Sequence, residues 1–104
     1  MENIELVCFQ IISAVGSAKS MYLEAIQEAK KGEFNKAASL IEEGRTLYTQ
    51  GHHAHSKLIQ QEASGEKTDI TLLLLHAEDQ MMSAETIKIM AEEFIELYKK
   101  LEVR

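Results

Sequence analysis

The 104-residue sequence contains no proline, one cysteine and only five glycines. Proline and glycine punctuate a chain, so their scarcity predicts few long helices rather than many short strands. The lone cysteine, Cys8, excludes an internal disulfide, and a cytosolic chain is the simplest expectation. Positive charge is also scarce: 11 Lys and Arg stand against 17 Asp and Glu, a net charge of −6. A nucleic-acid partner would require basic patches, so this balance speaks against one. Apolar runs stay short of the ~20 residues that a membrane span needs. The opening Met1 to Glu5 is acidic, unlike a secretory signal. What the chain does contain is ordinary for a soluble globular protein, 45% apolar and 27% charged residues. Its length suits one small domain, 1–104.

Helical spacing appears from the start. Ile4, Val7, Cys8, Ile11, Ala14, Val15, Ala18, Met21, Tyr22, Ala25 and Ala29 recur every three or four residues. This predicts a helix over about 3–31, ended by Lys30, Lys31 and Gly32. Cations favour the C-terminal dipole, and glycine suits a left-handed cap. Gly16 falls mid-helix, where glycine costs ~1 kcal/mol against alanine; close packing of another backbone is expected there. A second helix is predicted over 33–63, with an apolar line through Phe34, Ala37, Ala38, Ile41, Gly44, Leu47, Tyr48, Gly51, Leu58 and Ile59. Ala63-Ser64-Gly65 breaks it. Thr68 or Asp69 then serves as the N-cap of a third helix over 68–101. Three long segments with short connections predict an all-α fold, an antiparallel up-down-up three-helix bundle.

The third helix is apolar on two sides. One line is Leu73, Ala77, Ala84, Ile87, Ala91, Phe94, Tyr98 and Leu101; a second, roughly 100° away, is Leu72, Leu75, Met82, Thr86, Met90 and Leu97. A helix in a lone bundle needs one such stripe, so the second implies contact with other subunits. The alternative is one broad stripe inside a tight monomer.

Two ionisable residues of this helix stand out. Asp79 falls within the second apolar line, where an acid is costly unless paired or bound to a cation. His76 lies ~60° around the helix, on a flank shared with Gln80 and Ser83. Taken alone, His76 reads as a satisfied boundary histidine and Asp79 as a tolerated edge acid. His52-His53-Ala54-His55 invites a zinc reading, but a third or fourth ligand is missing. Cys8 sits on an apolar face and reads as buried and inert. Phosphate-binding glycine loops, nucleophile elbows and paired glycosidase carboxylates are absent. A histidine-phosphotransfer domain would carry His-x-x-Lys-Gly, whereas His76 precedes Ala77-Glu78-Asp79-Gln80.

Several segments together resemble a known family. They are Gly16-Ser17-Ala18-Lys19-Ser20; Lys31-Gly32-Glu33-Phe34 with Ala37; His52 with Ser56-Lys57-Leu58-Ile59; Glu62-Ala63-Ser64-Gly65-Glu66; Leu75-His76-Ala77-Glu78-Asp79; and Phe94-Ile95-Glu96-Leu97-Tyr98-Lys99-Lys100. In this order and spacing, over nearly the whole chain, they resemble the enzyme IIA component of the lactose/cellobiose (diacetylchitobiose) class of the bacterial phosphoenolpyruvate-dependent sugar phosphotransferase system. The resemblance implies a homotrimer and a phosphoryl carrier. His76 would accept phosphate from the phosphocarrier HPr and pass it to a cysteine of the IIB component, with the membrane reached only through the IIC transporter. Asp79 would line the trimer axis, where copies could hold a metal ion, Mg²⁺ by preference; no organic cofactor is implied. Gln80 and Ser83 would support the phosphoryl group. Gln80 departs from the family's usual histidine, and Glu78 from its usual glutamine. Gly51 and the run His53-Ala54-His55 depart as well. A non-catalytic oligomeric helical adaptor is the alternative function, since the same apolar stripes would serve it.

Overall fold

The computed structural model describes residues 3–102; Met1 and Glu2 of the acidic opening, with Val103 and Arg104, lie outside the described residues. Three helices make up the fold: α1 (Ile4–Lys30), α2 (Phe34–Ala63) and α3 (Leu72–Glu102). No strand occurs among the described residues. Asn3 caps α1, its side-chain oxygen accepting from the Glu5 N–H at 2.9 Å and the Leu6 N–H at 3.4 Å. Lys31 closes the helix, and Gly32 follows at φ 81°, the left-handed conformation that its lack of a Cβ permits. Gly65 ends α2 in the same way.

The expected cap of α3 at Thr68 or Asp69 is two to three residues too early. Thr71 is the cap: its Oγ1 accepts from the Leu74 N–H at 3.1 Å and its carbonyl from the Leu75 N–H at 3.0 Å. Three capping residues precede the apolar run Leu72–Leu75, and the one adjacent to the run takes the role. Residues 66–71 instead lead across to α3 without regular structure.

α1 is the central helix, packed against both neighbours, while α2 and α3 touch each other least. By length and composition α1 is apolar enough to cross a membrane, against the expectation that no stretch approaches a span. Within the fold that apolarity serves the core, where Val7, Cys8, Ile11, Val15, Ala18, Tyr22, Ala25 and Ala29 are buried. Two clusters make up this core. Val7 to Val15 pack with Ala54, Leu58, Ala77, Met81 and Ala84; Ala18 to Ala29 pack with Ala37, Ile41, Ala91 and Ile95. α1 and α3 therefore run parallel and α2 antiparallel to both, the expected up-down-up arrangement. The molecule is a thin rod, 57 × 21 × 15 Å, and its alanine-rich core lets the helix axes approach closely.

Two glycines of α2 make the closest approaches. A Cβ on Gly44 would strike the Tyr22 ring, and one on Gly51 would lie 2.6 Å from Val15 Cγ1. Gly16, expected to be the site of close packing, has nothing within 4 Å of the same point. The backbone it was expected to meet is not there, because Gly16 lies off the buried line of α1.

α3 departs from its expected inward line. Met81 and Ile95 are buried, whereas Phe94 is 39% and Leu101 48% exposed. The buried line Ala77, Met81, Ala84, Ala91 and Ile95 is thus rotated by roughly 50° from the expected one at 100° per residue. The second apolar line lies almost directly behind it, and Leu72, Leu75, Met82, Met90 and Leu97 are all exposed.

Candidate functional site

The two flanks of α3 between these apolar faces are polar, and they differ. One faces α2. Along it Glu78, Glu85 and Glu92 recur every seven residues, each with a partner on α2. Glu78 meets His55 Nε2; Glu85 accepts from the Tyr48 hydroxyl at 3.4 Å; Glu92 lies 3.7 Å from Arg45. This ladder gives His55 a structural partner, so it does not join a metal set with His52. His52 stacks on Tyr48, ring centroids 6.3 Å apart. No group of three or more metal-ligating side chains occurs among the described residues.

The other flank borders α1 and carries His76, Gln80 and Ser83, the three residues that helical spacing places together. His76 is exposed, near the start of α3, while Gln80 and Ser83 are half-buried. The Cβ atoms of His76 and Gln80 are one turn apart, about 6 Å. A long rigid helix is therefore the mount for an imidazole that faces outward. Gln80 is itself held from α1: the Lys19 amine donates to its Oε1 at 3.3 Å. Helical spacing within α3 does not point to Lys19, because its partner is 61 positions away. Its occurrence in Gly16-Ser17-Ala18-Lys19-Ser20 was the available signal.

Asp79 stands apart from this flank, exposed on the outer apolar face between Leu75 and Met82. Among the described residues Asp79 belongs to no group of three or more metal-ligating side chains within one chain. Its chemistry fits a hard cation, which takes oxygen ligands, provided that further copies of the chain supply the rest.

Cys8 takes no part. It is fully buried, and burial, with the Glu78 carboxylate nearby as the lesser cause, raises its thiol above the ordinary range. A thiol so held is a poor nucleophile.

What the site offers is one outward imidazole, an amide one turn away and a cation from α1. The imidazole stands on an exposed helix face, so the groups suit a carrier that meets its partners at the surface.

Comparison with known proteins agrees. Residues 6–99 match the family described as PTS system, lactose/cellobiose specific IIA subunit. The lichenan-specific phosphotransferase enzyme IIA component of Bacillus subtilis (strain 168) is 44% identical over 100 residues, covering 96% of this chain and 91% of that protein. The crystal structure of the PTS cellobiose-specific enzyme IIA from Bacillus anthracis superposes with a TM-score of 0.96 at 44% identity, covering 100% of this chain and 95% of that one. The chitobiose IIA subunit of Escherichia coli, solved in complex with HPr, superposes with a TM-score of 0.84 at 30% identity, covering 98% and 99%. The chain belongs to the lactose/cellobiose-specific IIA family of the sugar phosphotransferase system.

Proposed function

We propose that His76 is the residue through which this IIA subunit carries phosphate. HPr donates, a cysteine of the IIB component accepts, and the route ends in uptake of a β-linked disaccharide through IIC. The observation that carries the reading is the exposed His76 on the same flank as Gln80, whose side-chain oxygen accepts from Lys19 of α1. The relative solved with HPr supports HPr as the donor. A phosphoryl acceptor must offer a neutral ring nitrogen, with its other nitrogen held to fix the tautomer. Gln80 and Ser83 supply hydrogen-bonding groups beside the ring; an amide donates and accepts but cannot carry a proton as imidazole would. Transfer between nitrogen and sulfur nucleophiles depends on positioning and charge stabilisation more than on acid–base work. The carrier works in the cytoplasm.

The assembly is a homotrimer built on the outer face of α3. The exposure of Leu72, Leu75, Met82, Met90 and Leu97 on one side of one helix supports it. Copies of Asp79 then meet near the axis, where like charges in a dry environment need compensation. Mg²⁺ or shared protons provide it.

Incubation with phosphoenolpyruvate, enzyme I and HPr, followed by intact-mass spectrometry, tests the acceptor. Wild type gains one acid-labile phosphate and His76→Ala gains none. The triple replacement of His52, His53 and His55 by alanine remains phosphorylatable. A phosphate that persists in His76→Ala moves the acceptor to another histidine.

A further inference from the structure

Resting on His76 as the acceptor, we infer that Lys19 is the cation that neutralises the phosphoryl group His76 carries. Several cations of the fold are paired with carboxylates: Lys31 with Glu28, Lys88 with Glu92, and Arg45 with Glu42 and Glu92. Lys19 is different. It is half-buried, and its contact is the neutral amide of Gln80. No carboxylate lies within ion-pair distance of it among the described residues. A partly desolvated ammonium with only an amide partner keeps an uncompensated positive charge. That is costly at rest and favourable once an anion arrives. The position is also apt, since Gln80 stands one turn from His76 on the same flank, within reach of a flexible four-carbon stem. Gly16, one turn before Lys19, presents no side chain and has open space around it, so this side of the flank is unobstructed.

The transfer balances without further reagents. The lone pair of one His76 ring nitrogen forms the new N–P bond as the N–P bond to the donor imidazole breaks. The bonding pair leaves with the donor ring, and each imidazole keeps the proton on its other nitrogen. His76 thereby gains a dianionic group beside Lys19. The amine exchanges the neutral Gln80 oxygen for an anionic phosphoryl oxygen, so that both partners of its hydrogen bond carry charge. Gln80 is freed to donate from its NH₂ to the same group. Lys19 therefore sets how the phosphoryl group divides between HPr and this protein, a property that a residue merely tying α1 to α3 would not control.

The test measures that division at equilibrium, using purified HPr and this protein, for wild type, Lys19→Met and Lys19→Arg. Lys19→Met shifts it about tenfold toward HPr, the equivalent of one charge-assisted contact, and Lys19→Arg restores it to within about threefold. An unchanged division in folded Lys19→Met overturns the proposal while leaving His76 as acceptor. His76→Ala, run in parallel, reports separately on the acceptor. Should Lys19→Met not fold, the wild-type protein labelled with ¹⁵N-lysine decides: the Lys19 Nζ resonance, identified by its loss in Lys19→Arg, moves on phosphorylation. A resonance that stays in place counts against Lys19.

Discussion

Tyr22 is the largest fully buried side chain, and its hydroxyl has no hydrogen-bond partner among the described residues. A buried hydroxyl left unpaired costs on the order of 1–3 kcal/mol. Tyr22→Phe keeps the ring against Gly44 and removes that cost, so it raises stability by about 1 kcal/mol in urea unfolding. Burial also pushes the phenol up to about 12, with Arg45 opposing and Tyr48 and Glu92 adding to it. The folded value lies above the unfolded one, so the native state holds this proton more tightly. That contribution is complete below pH 10 and is lost as pH rises through about 12. Tyr22→Phe has no proton there to lose, and its melting temperature falls less steeply over pH 10–12. At the same scale, the departures Glu78 and His55 meet each other across α2 and α3. Neither departure reaches the flank of His76.

The glycines of α1 and α2 show how an element can be legible while its contacts are not. Gly16→Ala removes a helix-interior glycine that meets nothing and gains roughly 0.5–1 kcal/mol. Gly44→Ala and Gly51→Ala drive a methyl into Tyr22 and Val15. Overpacking of about 1–3 kcal/mol exceeds the propensity gain, and both variants melt below wild type. An outcome in the reverse order would remove this account of the α1–α2 contact. The periodicity of the sequence was enough for the extents of α1 and α2, because each has one dominant apolar line and a clear stop. α3 defeated the same reasoning. With apolar residues on opposite sides, spacing cannot say which side turns inward, so it points to Phe94 and Leu101 where the core takes Met81 and Ile95 instead. The site followed the same division. His76, Gln80 and Ser83 share one helix, so spacing alone places them on one flank. Lys19 arrives from another helix, and only the packing of α1 on α3 reveals it.

At the scale of the molecule, the thin rod leaves too much apolar surface for one chain, and the surplus is concentrated on α3. Light scattering coupled to gel filtration should give the mass of a trimer; a monomer mass independent of concentration would sink the assembly. Replacing a buried, compensated charge by an apolar group is often neutral or stabilising. Asp79→Leu therefore keeps the trimer and loses any Mg²⁺ dependence of its melting temperature, and dissociation of that variant would show the carboxylate holding the copies together. The ladder Glu78, Glu85 and Glu92 bears on the same assembly. A straight α-helix drifts by ~20° over seven residues, so over two such intervals Glu92 would swing roughly 40° away from α2. All three rungs nevertheless find partners. A left-handed winding of α2 and α3 about each other, as in strands of a rope, would keep such rungs aligned. Leu75, Met82 and Ile89 on the outer face repeat at the same interval of seven, so in the proposed trimer each subunit would offer its companions a helix suited to the same winding.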